Sequence, residues 1–386
     1  MNRLLKQHEF YAALLLVAII AFISISNPSF YSLGNIFSLA KSSIGLGIFS
    51  LGVLLVLISG GIDISFPAIA MFAMYLTSRS IANTKDVPGV SATVSALMLA
   101  GVAAGVYAIW TFARPPRAVV VVITVLAAGV VGFLVYRYLA KAPKDTSIYT
   151  IFLIGMAMGA GLGCINAALI ALFRLPTFVV SLGTTSAFAG FVHNFVGTKV
   201  NYNIPSAMTA LSRWEIVTVN LESGGRVGLS GVIFVFIGFA VLTAFILNKT
   251  MLGRGIYALG GDPISAERVG LKVKSIQFFI FPFVGMLAGA AGIIHSSFMR
   301  NSRSTDLLGT ELNVIAAVVL GGAGIGGGKG TVLGTLIGVV LITIVNNSLI
   351  LMGISSFWQK VTTGAIVILA IGIPAVAKQI RERGRI

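Results

Sequence analysis

The chain has 386 residues, of which 57% are hydrophobic and only 10% charged, with a formal net charge of +16. So few charges could not cover the surface of a water-soluble globule of this length, which excludes a soluble enzyme and a disordered chain. The 27 Lys and Arg sit between apolar runs rather than in a stripe interleaved with aromatics, so they read as membrane orientation signals and not as a nucleic-acid surface.

Apolar runs predict helices at 11–26, 36–58, 64–81, 90–112, 118–139, 148–172, 177–197, 229–248, 276–296, 312–325, 331–352 and 359–377. A spanning helix takes roughly 20 residues, so the expected fold class is all-α, one polytopic transmembrane helical bundle of about 10–12 spans. A membrane barrel would instead show short alternating strands. The first run follows Arg3 and Lys6 and is not followed by a small-residue cleavage site, so it reads as an uncleaved anchor. The tenth run is short and rich in Gly and is expected not to cross the bilayer fully. The single cysteine, Cys164, excludes an intrachain disulfide.

The Lys/Arg bias places the N-terminus inside, and even parity then places the C-terminus inside too. Arg137, Lys141 and Lys144 run against this bias, on the outer side with only Asp145 to offset them. The longest outer loop is 198–228 and the longest inner loop is 249–275.

Gly60-Gly61-Ile62-Asp63-Ile64-Ser65 follows the second run at the inner surface. An acid there needs a cap, a partner or water. Asp63 is expected to N-cap the third run through amides near Ser65 and Phe66, which is compatible with a second role at a gate. Polar residues inside the runs include Asn166, Thr184, Thr185, His193, Asn346 and Asn347. Each alone can simply bond across helices. As a set, Asn166, Thr184, Asn346 and Asn347 are candidates to line a path for a neutral, hydroxyl-rich solute. The runs hold almost no acids, no metal-ligand spacing and no nucleophile motif, so the chain reads as a conduit rather than a catalyst, with no metal or cofactor.

The inner loop 249–275 carries the most local information. Gly260-Gly261 is expected to break the incoming structure. Asp262 suits an N-cap, Pro263 the first helical position, and Gly270 the C-terminal glycine. The helix between them, with Ile264, Ser265, Ala266, Glu267 and Arg268, is too short to stand alone and must pack on something. Either it is a connecting turn or it receives a partner, with Ile264, Ala266 and Val269 meeting that partner or adjoining helices. Gly321 to Gly330 looks like a phosphate loop but fails at Ala323 and Gly330, where a Gly and a Ser or Thr are needed. It reads as tight packing at a broken helix.

Leu252-Gly-Arg-Gly-Ile-Tyr-Ala-Leu-Gly-Gly-Asp-Pro-Ile-Ser-Ala-Glu-Arg-Val-Gly-Leu271 resembles the cytoplasmic loop of permease subunits of ribose-type ABC importers. So do Glu311 to Gly330, Gly334-Thr-Leu-Ile-Gly338 with Asn346-Asn347, and the Gly-Ile-Asp-Ile-Ser segment ending at Ser65. The broader family includes branched-chain amino acid permeases. The resemblance covers about 1–81 and 148–377 and implies one permease domain over 1–386 of type II importer form. It implies a multi-pass protein of the cytoplasmic membrane that translocates a sugar-like solute. The implied partners are ABC ATPase subunits, an external substrate-binding protein, a second permease copy or related chain, and membrane lipid. Gly261 to Arg268 with Gly270 then match the coupling helix that meets the ATPase, and Gly60, Gly61, Asp63 and Ser65 lie near the inner mouth. Residues 85–146 hold two runs where the family has a single helix, which reads as a two-span insertion. Phe66-Pro67-Ala68 replaces the family's Val-Gly-Ser. The alternatives are a related permease for a nucleoside, a furanone signal or a branched-chain amino acid, or a stand-alone secondary carrier.

Overall fold

The computed structural model describes residues 8–82, 146–220, 226–355, 357–362, 364–365 and 368. The expected runs at 90–112 and 118–139, and most of the run at 359–377, lie outside the described residues. In chain order the helices are α1 (His8–Ser26), α2 (Leu33–Ile58), α3 (Phe66–Ala82), α4 (Ile148–Phe173), α5 (Thr177–Phe191) and α6 (Ser206–Ser212). There follow α7 (Ile233–Lys249), α8 (Met251–Gly261), α9 (Pro263–Arg268), α10 (Val273–Met299), α11 (Glu311–Leu320) and α12 (Val332–Leu351). Five described segments are long and apolar enough to cross a membrane, or six if the bent pair α7–α8 is one span. The architecture is the polytopic helical bundle that the apolar runs imply.

The core is built from helices that are apolar on every face, the pattern of a helix with no solvent side. Every residue of α2 from Gly47 to Ile58 is buried. α10 lies against α2, α3 and α4, and α12 closes the bundle against α1, α2 and α11. The α4–α10 contact depends on glycines spaced four apart. A Cβ at Gly159 would strike the Gly285 carbonyl, and one at Gly163 the Phe281 carbonyl. A Cβ at Gly289 would strike the Gly155 carbonyl in return. Small residues therefore let these two backbones touch, where lipid offers no hydrophobic drive to join them.

Two elements differ from the expectation and a third follows it. The 198–228 loop holds a hairpin, β1 (Glu215–Asn220) antiparallel to β2 (Arg226–Ser230), with Val217 opposite Leu229. The run of four β-branched residues in Glu-Ile-Val-Thr-Val-Asn was its sequence signal. The inner loop begins with a helix, α8, turned 74° from α7. At that bend Thr250 is extended and its hydroxyl oxygen accepts the Gly253 amide at 3.0 Å, an N-cap in mid-course. Finally, α11 has only 10 residues, about 15 Å at 1.5 Å per residue. It spans half of a hydrocarbon core of roughly 30 Å, as its length in sequence suggested.

Candidate functional site at the mouth of the bundle

One end of the bundle gathers the end of α2, the α4–α5 turn, α8, α9 and the α11–α12 loop. The Gly60–Ser65 loop joins α2 to α3 there. Asp63 is buried, and its Oδ1 accepts both the Ser65 amide and the Ser65 hydroxyl at 2.7 Å. The Ser65 hydroxyl oxygen in turn accepts the Asn166 side-chain amide at 2.7 Å. Asp63, the expected cap, thus stands two residues before the cap position itself, which Ser65 occupies. Ser65 precedes the first helical residue and its carbonyl takes the Ile69 amide. The Phe66 amide is not an Asp63 donor. Two hydroxyls of α5 hold the same loop from the side. Thr185 donates to the Ile64 carbonyl at 3.2 Å, and Ser181 reaches the Ile62 carbonyl at 3.5 Å.

The α9 cap has the geometry that its residues require. Asp262 is extended, its Oδ1 accepts the Ile264 amide at 3.0 Å, and its Oδ2 accepts the Ser265 hydroxyl. These bonds, the Ser265 hydroxyl first and the Ile264 amide next, hold the Asp262 carboxyl below the usual aspartate range. At the other end Gly270 has φ +87 and its amide donates to the Glu267 carbonyl, while the Leu271 amide donates to the Ala266 carbonyl. That pair of bonds is a Schellman motif, which favours glycine at the left-handed position.

One expectation about this segment is corrected. Gly260 and Gly261 do not break the incoming structure, because α8 runs through both and the break comes at Asp262. Of the three apolar residues expected to meet a partner or adjoining helices, Ala266 is the one turned inward. It is buried at 3% exposure, whereas Ile264 is 64% and Val269 78% exposed. The apolar face that α9 leaves uncovered is therefore Ile264 with Val269.

The two sequence motifs meet. A cleft of about 550 Å³ is lined by Gly60, Gly61 and Ile62 on one side and by Pro263, Ile264 and Glu267 on the other, with Arg174 and Thr177 of the α4–α5 turn between them. Behind it three glycine pairs converge backbone on backbone. The Gly328 amide donates to the Ile58 carbonyl at 2.8 Å. A Cβ at Gly327 would lie 2.9 Å from the Gly60 Cα and 2.8 Å from the Gly260 Cα. The Tyr257 hydroxyl donates to the Gly330 carbonyl at 2.7 Å. The Gly-rich loop that resembles a phosphate loop is thus filled by the chain's own backbone.

The four polar path candidates do not form one group. Asn166 joins the Asp63–Ser65 network, and its Oδ1 is buried without a hydrogen-bond partner. Thr184 is buried and its hydroxyl bonds back to the Val180 carbonyl of its own helix at 2.9 Å, so Thr185 and Ser181 were the informative hydroxyls. Asn347 donates to the Asn35 side chain, and Asn35 to the Phe30 carbonyl, tying α12 to the far end of α2. The Asn346 carbonyl receives the Gln359 side-chain amide at 3.3 Å. Among the described residues no cluster of His, Cys, Asp or Glu could hold a metal ion.

The chain is 27% identical to the ribose import permease protein RbsC of Escherichia coli (strain K12), over 95% of this chain and 93% of that one. It is 29% identical to the ribose import permease protein RbsC of Bacillus subtilis (strain 168), over 92% of this chain and 89% of that one. It is 30% identical to the galactose/methyl galactoside import permease protein MglC of Escherichia coli (strain K12), over 59% of this chain and 67% of that one. No solved structure gives a significant match. Residues 125–371, well over half the chain and including the mouth glycines 260, 261, 327 and 328, match the family described as branched-chain amino acid transport system / permease component, and the chain belongs to that family of membrane permeases.

Proposed function

We propose that the chain is the translocating subunit of an ATP-driven sugar importer, with α9 as the element that receives the ATPase. The observation that carries this reading is the shared cleft. An end-capped helix with an uncovered Ile264–Val269 face lies directly across from the Gly60–Ser65 loop. A rigid element placed there transmits a push from a docked subunit to the mouth by packing alone. The ribose and galactose permeases among the relatives support a sugar as the solute. The chain acts as one permease domain over 1–386 in the cytoplasmic membrane, with both termini cytoplasmic and 85–146 as a two-span insertion. Its partners are ATPase subunits, an external binding protein and a second permease copy.

Ile264→Asp with Val269→Asp tests this. Both side chains are exposed, so the chain itself keeps its packing. The expected result is loss of ATPase co-purification and of labelled ribose or galactose uptake, with solute capture by the external binding protein unchanged. Normal co-purification and uptake would make α9 a connecting turn. Uptake of labelled leucine but of neither sugar would move the solute to the branched-chain amino acids in the family's description.

A further inference from the structure

A second cleft, of about 420 Å³, opens between α2, α10 and the start of α11, away from the mouth. Its volume falls within the roughly 300–1,000 Å³ of small-molecule pockets. Its walls are mostly apolar, from Phe49, Leu46, Ile294 and Val314, and a few polar groups converge on it. Lys41 is the one charged residue of α2, in its third turn, with its Nζ 4.6 Å above the Phe298 ring, and has no acidic partner among the described residues. His295 Nε2 is sealed from solvent without a hydrogen-bond partner, its nearest acid being Asp306 Oδ2 at 3.7 Å. Buried polar atoms are nearly always bonded, so each exception needs a reason. Among the residues that line this cleft the exception is His295 Nε2.

An ionisable residue at membrane depth marks a water-filled path or a solute site. We propose that this cleft is a solute subsite on the side of the bundle opposite the mouth, taking a neutral aldose. This rests on the sugar reading above. An aromatic face at Phe298 suits the C–H face of a sugar ring. The Lys41 ammonium donates to ring hydroxyls, and Asp306 accepts from them. The apolar remainder excludes larger ionic solutes.

Gly45 lines the cleft, and a Cβ there would meet nothing within 4 Å, so Gly45→Cys introduces a reporter without a clash. In intact cells, with Cys164→Ser, an anionic membrane-impermeant methanethiosulfonate is expected to label Gly45→Cys. D-Ribose or D-galactose at about twice its dissociation constant is expected to slow that labelling about threefold. Adding Lys41→Met is expected to abolish the protection while the protein remains in the membrane at normal level. Labelling only by a membrane-permeant maleimide would mean that the cleft faces lipid and would overturn the proposal. So would labelling that no aldopentose or aldohexose slows, or protection that survives Lys41→Met. The readout needs no ATPase, so it fails or succeeds apart from the docking test of α9.

Discussion

The backbone amide of Gly328 donates to the carbonyl of Ile58 at 2.8 Å, joining the α11–α12 loop to the buried last turn of α2. Gly260 packs into the same point, where a Cβ would strike both the Ile58 carbonyl and the Gly328 amide. The last turn of α8 is therefore fixed against two other segments, and α9 hangs from it after a single residue. If α9 has the coupling role proposed above, its movement would reach Gly60 and Gly327 through backbone contact.

That junction predicts a sharp difference between neighbours. Gly327 has φ +84 and Gly260 at van der Waals limit, whereas a Cβ at Gly326 meets nothing within 4 Å. Gly327→Ala is expected to cost about 1–2 kcal/mol from backbone strain alone, with crowding in addition. Uptake is expected to be lost in that variant and retained in Gly326→Ala. Thermal unfolding of both purified proteins and a transport assay check it, and equal behaviour would show the loop to be slack.

The α4–α10 crossing makes a stability prediction of the same kind. Gly159→Val drives a branched side chain into the Gly285 carbonyl, and overpacking costs roughly 1–3 kcal/mol or more where backbone must move. Gly183→Ala, on α5 with open space at its Cβ, is the control. Fluorescence size-exclusion of membrane extracts is expected to show aggregation or loss of the first variant only.

Asp63 separates a structural from a gating role. Asp63→Ala strands the Ser65 amide and hydroxyl in a buried place, at about 1–3 kcal/mol. Asp63→Asn keeps an acceptor oxygen for both donors. Equal thermal stability of wild type and Asp63→Asn, with uptake also equal, is the outcome of a loop-holding role. Stable protein with lost uptake in Asp63→Asn would assign the charge itself to transport.

The Asp262 cap makes a pH prediction. Its carboxyl is held below the ordinary aspartate value by the Ser265 hydroxyl and the Ile264 amide. A folded value below the unfolded one, about 3.9, means that the cap's stabilisation is full above that pH and is lost as pH falls through the lower folded value. Hydrogen exchange over 263–269 is expected to stay protected at neutral and mildly acidic pH in the wild type. Asp262→Ala is expected to lose that protection already at neutral pH.

What the sequence by itself determined is what local chemistry dictates. Asp262, Pro263 and Gly270 specify both ends of α9 because caps act within a turn of chain. The apolar runs specify buried helices because lipid and core both demand satisfied backbone. The shortness of α11 was legible in the same way. Only the tertiary structure decided where those helices touch. Nothing near Gly60, Gly260 or Gly327 in sequence says that the three meet, since a glycine's role depends on which distant backbone approaches it. Ala266 and Ile264 are both apolar and two residues apart, and only packing turned one inward and left the other bare. Nothing in the sequence around Lys41 sets it beside Phe298 and His295, which come from a helix far along the chain.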